Sequence, residues 1–171
     1  MRILVAYASS QGSTQQIARQ IAEVLERSGL RVEVLPAGQA ADAAGYDAVV
    51  LGSAIHNQAW LPEAADYFGR NAPALAGLPV WMFSVGMPDA LPGPMRRKAR
   101  ELQQQRIEAA LAGPVRPREH RIFSGVYGAG RLPAPGRFLF RLIGGRLGDL
   151  RDWPQIRAWA EGIAGQLVPA G

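Results

Sequence analysis

The sequence predicts a single α/β domain, residues 1–171, built on a doubly wound parallel sheet of five strands in the order 2-1-3-4-5. Three observations predict it. Continuous apolar runs of strand length recur, as in strands buried on both faces. They alternate with segments whose apolar residues return at helical spacing. A chain of 171 residues, 48% of them hydrophobic, fills one sizeable core and is short for two.

The first strand is the run from Ile3 to Ala8. After a polar turn, Ile17, Ile21, Val24 and Leu25 fall at offsets of four, seven and eight, one stripe of a helix over residues 13–28 that Gly29 can terminate. A second strand is expected near residues 31–35 and a third over 46–55, with 48–51 fully buried. A helix follows at about 61–71, then a fourth strand over 79–85. The next helix spans about 94–111, with Pro94 in its first turn, where a missing N–H costs nothing. A fifth strand at 121–127 and a helix over about 152–168 complete the alternation. With right-handed crossovers, such a sheet binds ligands outside the carboxyl ends of its strands, where the winding reverses between the first and third. The loops after Ala8, Gly52 and Ser84 are therefore the ones to inspect.

Composition removes several classes of function. The absence of cysteine excludes disulfides, iron–sulfur clusters, thiolate zinc and thiol nucleophiles. With only His56 and His120, no metal site is expected. Redox chemistry would need a bound organic cofactor. No apolar run approaches the roughly eighteen residues of a membrane span, and the amino terminus opens on a strand pattern, so a cytoplasmic location is expected.

Charge is unevenly spread. Residues 1–89 carry five arginines against eight carboxylates, a net −3, while residues 90–171 carry fourteen basic groups against six acidic ones, a net +8. A basic second half suits an anionic partner such as a phospholipid surface or a carboxylate-bearing substrate, or is a solvated surface. No helix-turn-helix or stacking motif points to nucleic acid, and none is expected as a partner.

Ser9, Ser10, Gln11, Gly12, Ser13 and Thr14 lie between a buried strand and a helix, so hydroxyls and backbone N–H groups converge on a helix amino terminus. A phosphate there gains hydrogen bonds from unpaired donors and the positive end of the helix dipole. One hydroxyl suffices for an ordinary cap, and this segment has four. The P-loop and dinucleotide-binding glycine patterns are both missing.

The segment Ile3 to Ile17 resembles the phosphate loop of flavodoxins, in which a hydroxyl-rich turn wraps the single phosphate of FMN. The resemblance implies a flavodoxin-like three-layer sandwich, FMN as cofactor, and residues 9–14 as its phosphate site, with Gln11 replacing a hydroxyl residue common there. It further implies that Ser53, Ala54, Ile55, His56 and Asn57 after the third strand, and Ser84, Val85 and Gly86 after the fourth, meet the flavin ring. Small residues in these loops let backbone approach a flat heterocycle. His56 stands in register with the first of the two aromatic side chains that usually sandwich the ring, and the second loop, continuing through Met87, Pro88 and Asp89, carries no aromatic. Trp60 either swings over the ring or packs inside.

Within that superfamily, the loop Gly52 to His56, the run Phe83 to Val85 and the tail with Arg137, Phe138, Arg141, Leu142, Ile143, Gly144 and Gly145 are similar to the menaquinone-dependent protoporphyrinogen oxidase family, protoporphyrinogen IX dehydrogenase (quinone). This implies FMN-mediated passage of reducing equivalents from a porphyrinogen to a quinone, with no side chain assigned as catalytic acid, base or nucleophile. The alternative is a flavodoxin-type electron carrier between protein partners. The tail over 131–148 has Phe138, Leu139, Leu142 and Ile143 at helical spacing with Arg137 and Arg141 beside them. It can lie peripherally on a lipid surface, cover a porphyrin, or pack on the sheet edge.

Overall fold

A strand with apolar residues at every position must bury both faces, and the residues from Ile3 to Ala8 do so. The computed structural model describes residues 1–87, 91, 93–111, 113–127, 142 and 148–168. The strand β1 (Arg2–Ala8) is followed by helix α1 (Ser13–Arg27), β2 (Arg31–Pro36), β3 (Ala48–His56) and the short β4 (Ala59–Trp60). Next come α2 (Pro62–Arg70), α3 (Ala72–Leu75), β5 (Val80–Gly86), α4 (Gly93–Ala110), β6 (Glu119–Ser124), β7 (Val126–Tyr127), β8 (Gly148–Asp149) and α5 (Trp153–Leu167). The main sheet is parallel in the order β2-β1-β3-β5-β6, the order expected for its five strands.

Successive strand side chains point to opposite faces, so β1 feeds two separate cores. Ile3, Val5 and Tyr7 pack with α1 and α5, against Phe83, Phe123 and Trp159. Leu4, Ala6 and Ala8 pack on the other face with Tyr67, Phe68, Leu75 and Ile107, which come from α2, α3 and α4. The result is helix layer, sheet, helix layer.

The helices end where the sequence placed their boundaries. The stripe Ile17, Ile21, Val24 and Leu25 is the buried face of α1. Gly29 takes a left-handed φ of 83° and the Leu30 N–H returns to the Leu25 carbonyl at 3.3 Å, closing the helix. At α5 the Asp152 carboxylate accepts from the Gln155 N–H at 3.0 Å, a cap worth about 1 kcal/mol.

Three details depart from the sequence reading. The strand β4 was hidden in a loop. It folds back antiparallel on β3 with Ile55 opposite Trp60, through a two-residue turn in which Asn57 and Gln58 both have positive φ. The fifth strand stops at Ser124, and the next residues form a separate ribbon in which β7 pairs antiparallel with β8. Gly125, at the break, brings its backbone so close that a Cβ would sit 2.9 Å from Val85 Cγ1. Gly52, expected in a ligand loop, lies inside β3, where a Cβ would land in the ring of Phe83. Its smallness serves packing.

The tail over 131–148 lies outside the described residues apart from Leu142 and Gly148. Among the described residues no helix is long and apolar enough to cross a membrane.

Gly52→Ala is expected to destabilise the fold by roughly 1–3 kcal/mol, because a fully buried ring must move off its preferred position. Urea unfolding of the variant checks this, and an unchanged midpoint would contradict the packing role.

Candidate cofactor cleft

The carboxyl ends of β1, β3 and β5 open into a cleft of about 400 Å³. One end is the turn between β1 and α1. Gly12, with φ 86°, bends the turn, and its N–H donates to Ser9 Oγ at 3.0 Å. No side chain caps α1 and its first turn holds no acidic residue, so the leading amides and the positive end of the helix dipole are left without a partner side chain. Ser9, Ser10, Gln11, Ser13 and Thr14 line this end. The capping alternative for the hydroxyl cluster is therefore not what the fold uses.

Thr14 decides the chemistry of this turn. Its hydroxyl is buried and has no hydrogen-bond partner, and Thr14 is among the residues that line the cleft. A buried polar atom left unpaired costs about 1–3 kcal/mol, and an anion seated on the α1 amino terminus would remove that cost. The residues present thus fit a phosphate.

The second expected loop divides. Ala54 and Ile55 line the cleft, whereas Ser53 is buried beneath it, donating to the Ala54 carbonyl and accepting from the Leu61 N–H, each at 2.9 Å. His56, the last residue of β3, and Asn57, the first of the turn, are exposed and do not line the cleft. Gln58 lines it in their stead.

Of the third expected loop, Ser84, Val85 and Gly86 belong to β5; Val85, Gly86 and Met87 line the cleft, while Pro88 and Asp89 are outside the described residues. Ser84 turns away from it. Trp60 Nε1 donates to Ser84 Oγ at 2.7 Å, and Ser84 Oγ lies 2.8 Å from His120 Nε2. The hydroxyl accepts from Trp60 and shares a second hydrogen bond with His120, whose direction is set by which of Nε2 and Nδ1 carries the imidazole proton. That Nδ1 lies 3.5 Å from Glu108 Oε1, a long contact. The sequence of groups is that of a hydrolytic relay, but Ser84 is fully buried and absent from the cleft wall, so no acyl group reaches it. The chain of bonds ties β4, β5 and β6 beneath the cleft and holds Trp60 inside the protein.

A wall that sequence reasoning missed comes from α4. Ala99, Leu102, Gln103 and Arg106, spaced by three, four and seven, face the cleft together. Gln103 lies over Gly86, where a Cβ would be 2.9 Å from its Oε1. The spacing was visible in the sequence, but a stripe mixing Ala, Leu, Gln and Arg resembles a solvated helix face. Gly125 and Val126 complete the wall beside Ser13, whose Oγ accepts from the Val126 N–H at 3.3 Å. Among the described lining residues there is no aromatic side chain and no carboxylate, and the one cation is Arg106. No group of residues among those described could hold a metal ion.

Comparison with known proteins bears on this geometry. The sequence profile of the flavodoxin domain matches residues 4–144. The chain belongs to the flavodoxin-domain family. Flavodoxin 1 from Bacillus cereus superposes with a TM-score of 0.60 at 16% identity, covering 98% of this chain and 100% of that one. Flavodoxin 2 from the same organism gives 0.58 at 21%, over 97% and 99%. A short-chain flavodoxin associated with a non-canonical PDU bacterial microcompartment gives 0.62 at 11%, over 98% and 99%. Identities this low establish the shared fold. No curated protein sequence matches the chain. The family match stands at the level of the flavodoxin domain and does not extend to the protoporphyrinogen oxidase family. FMN is the cofactor of this domain, and the hydroxyl turn suits its phosphate.

Burial lowers the pKa of His120 below its ordinary 6.5, outweighing the nearby Glu108 carboxylate. The unfolded chain then binds more protons than the folded one between the two pKa values, so the neutral imidazole's contribution is full above about pH 6.5 and is lost as pH falls below it. Unfolding midpoints measured from about pH 7 down to about pH 5 are expected to fall, and His120→Gln to flatten that decline. An equal decline in the variant would show that other groups carry it.

Proposed function

We propose that this protein is an FMN-dependent electron-transfer protein of the flavodoxin type, exchanging electrons with an anionic partner at the mouth of the cleft. The observation that carries the proposal is the buried, unpartnered Thr14 hydroxyl beside the uncapped α1 amino terminus. Thr14, Ser10 and the leading amides of α1 would hold the phosphate, with Ser9 and Ser13 fixing the turn. Ile55, Gly86 and the α4 wall bound the space left for the ring. When bound, FMN supplies a ring that accepts and releases electrons. The protein supplies placement and electrostatics.

The partner's charge follows from the cleft's surroundings. Arg97 and Lys98 are exposed on α4, and the exposed side chains of Met95 and Leu102 lie on the same helix. Apolar contacts framed by cations suit an acidic surface.

A second reading, transfer from a porphyrinogen to a quinone, draws on the similarity of Gly52 to His56 and of the tail to the protoporphyrinogen oxidases. The same basic helix favours it, since arginines beside an aliphatic cleft suit a flat ligand bearing carboxylates. In that reading the segment 131–148, with its arginines and apolar residues, would rest on the lipid surface from which a quinone is drawn.

Thr14→Val is expected to weaken FMN binding about tenfold to a hundredfold, the loss of one hydrogen bond to a charged group, while leaving riboflavin binding nearly unaffected. Fluorescence titration with both ligands checks this; equal losses would remove the phosphate from that turn. For the redox step, the reduced protein is expected to pass electrons to an acidic acceptor protein at a rate that falls with salt. Steady turnover of protoporphyrinogen with menadione would instead establish the second reading.

A further inference from the structure

Resting on the FMN reading, we infer that Arg106 sets the reduction potential of the bound flavin by stabilising the negative charge that reduction brings into the cleft. The phosphate has its partners at the β1–α1 turn, so the α4 wall is left to the ring. Ile107, the next residue, is fully buried against the sheet, which fixes the rotation of α4 and turns Ala99, Leu102, Gln103 and Arg106 to the cleft. Gln103 sits over Gly86 at the carboxyl end of β5, and Arg106 follows one turn later on the same face.

The electrostatic setting is one-sided. Arg106 forms no ion pair and no hydrogen bond with the described residues, and no carboxylate joins it in the described lining. Glu101 is engaged by Arg97 at 3.6 Å, and Glu108 faces His120 on the other side of α4. Delivery of two electrons and one proton adds one negative charge to the ring, and a guanidinium across the cleft favours that state over the oxidised one. Because Arg106 is exposed, solvent screens the effect to about tenfold in relative affinity rather than far more.

The test uses the whole chain, stripped of flavin and reloaded with FMN or riboflavin, as wild type, Arg106→Gln and Arg106→Lys. Dithionite supplies the electrons and is oxidised to sulfite, and the midpoint is read against a reference dye. Arg106→Gln is expected to lose about tenfold more affinity for reduced than for oxidised flavin, a midpoint about 30 mV lower for two electrons. The drop should be the same with riboflavin, and Arg106→Lys should recover most of it. An unchanged midpoint overturns the inference. So does a drop seen with FMN alone, which would move Arg106 to the phosphate. A wild-type protein that takes up neither flavin would overturn the FMN reading beneath it, and the inference with it.

Discussion

The constraint on which the rest depends is that β1 is buried on both faces. Its backbone bonds are consumed by β2 and β3, and its side chains are divided between two cores. A central strand of this kind can turn only at its end, over the edge of the sheet, and the chain must start a helix at once to cover one face. Gly12 makes that turn in a backbone conformation other residues seldom adopt. The amino terminus of α1 is thereby left over the sheet edge with its amides unpaired and the Thr14 hydroxyl enclosed beside them. The binding turn is a by-product of packing the central strand.

Beneath the cleft, polar side chains do structural work that their position in the sequence disguises. Ser53 braces the start of α2, and Ser84 is the middle of a buried chain from Trp60 to His120. Each is followed directly by a residue that does line the cleft, Ala54 and Val85. Ser84 points down where Val85 points up. The support and the contact surface therefore meet between adjacent residues of β3 and β5, at Ser53 and Ala54 and at Ser84 and Val85.

Much of the fold was legible because its signals are local. The apolar run at Ile3, the stripe from Ile17 to Leu25 and the stop at Gly29 each follow from spacing within a few residues. The hydroxyl turn was legible for the same reason. What the sequence did not disclose is long-range or depends on side-chain direction. Which of Ser53 and Ala54 faces the cleft depends on register against β1 and β5, and β4 has two residues with no periodicity to read. His56 was read as part of a loop around the ring, but it ends β3, exposed and outside the cleft lining. The α4 wall depends on how that helix is rotated, and this is set by Ile107 meeting the opposite core.

The ribbon of β7 and β8 has one more implication. Val126 pairs with Asp149 and Tyr127 with Gly148, and this ribbon is fastened by Arg151 to Asp149 and Gln16 and by its stacking on Trp153. Whatever lies between those paired residues can lengthen, shorten or be exchanged without shifting the register of any strand in the main sheet. Doubling such a span costs only about 0.6 kcal/mol in closure entropy. Evolution can therefore vary the length between these two paired strands while the register of the main sheet is inherited intact.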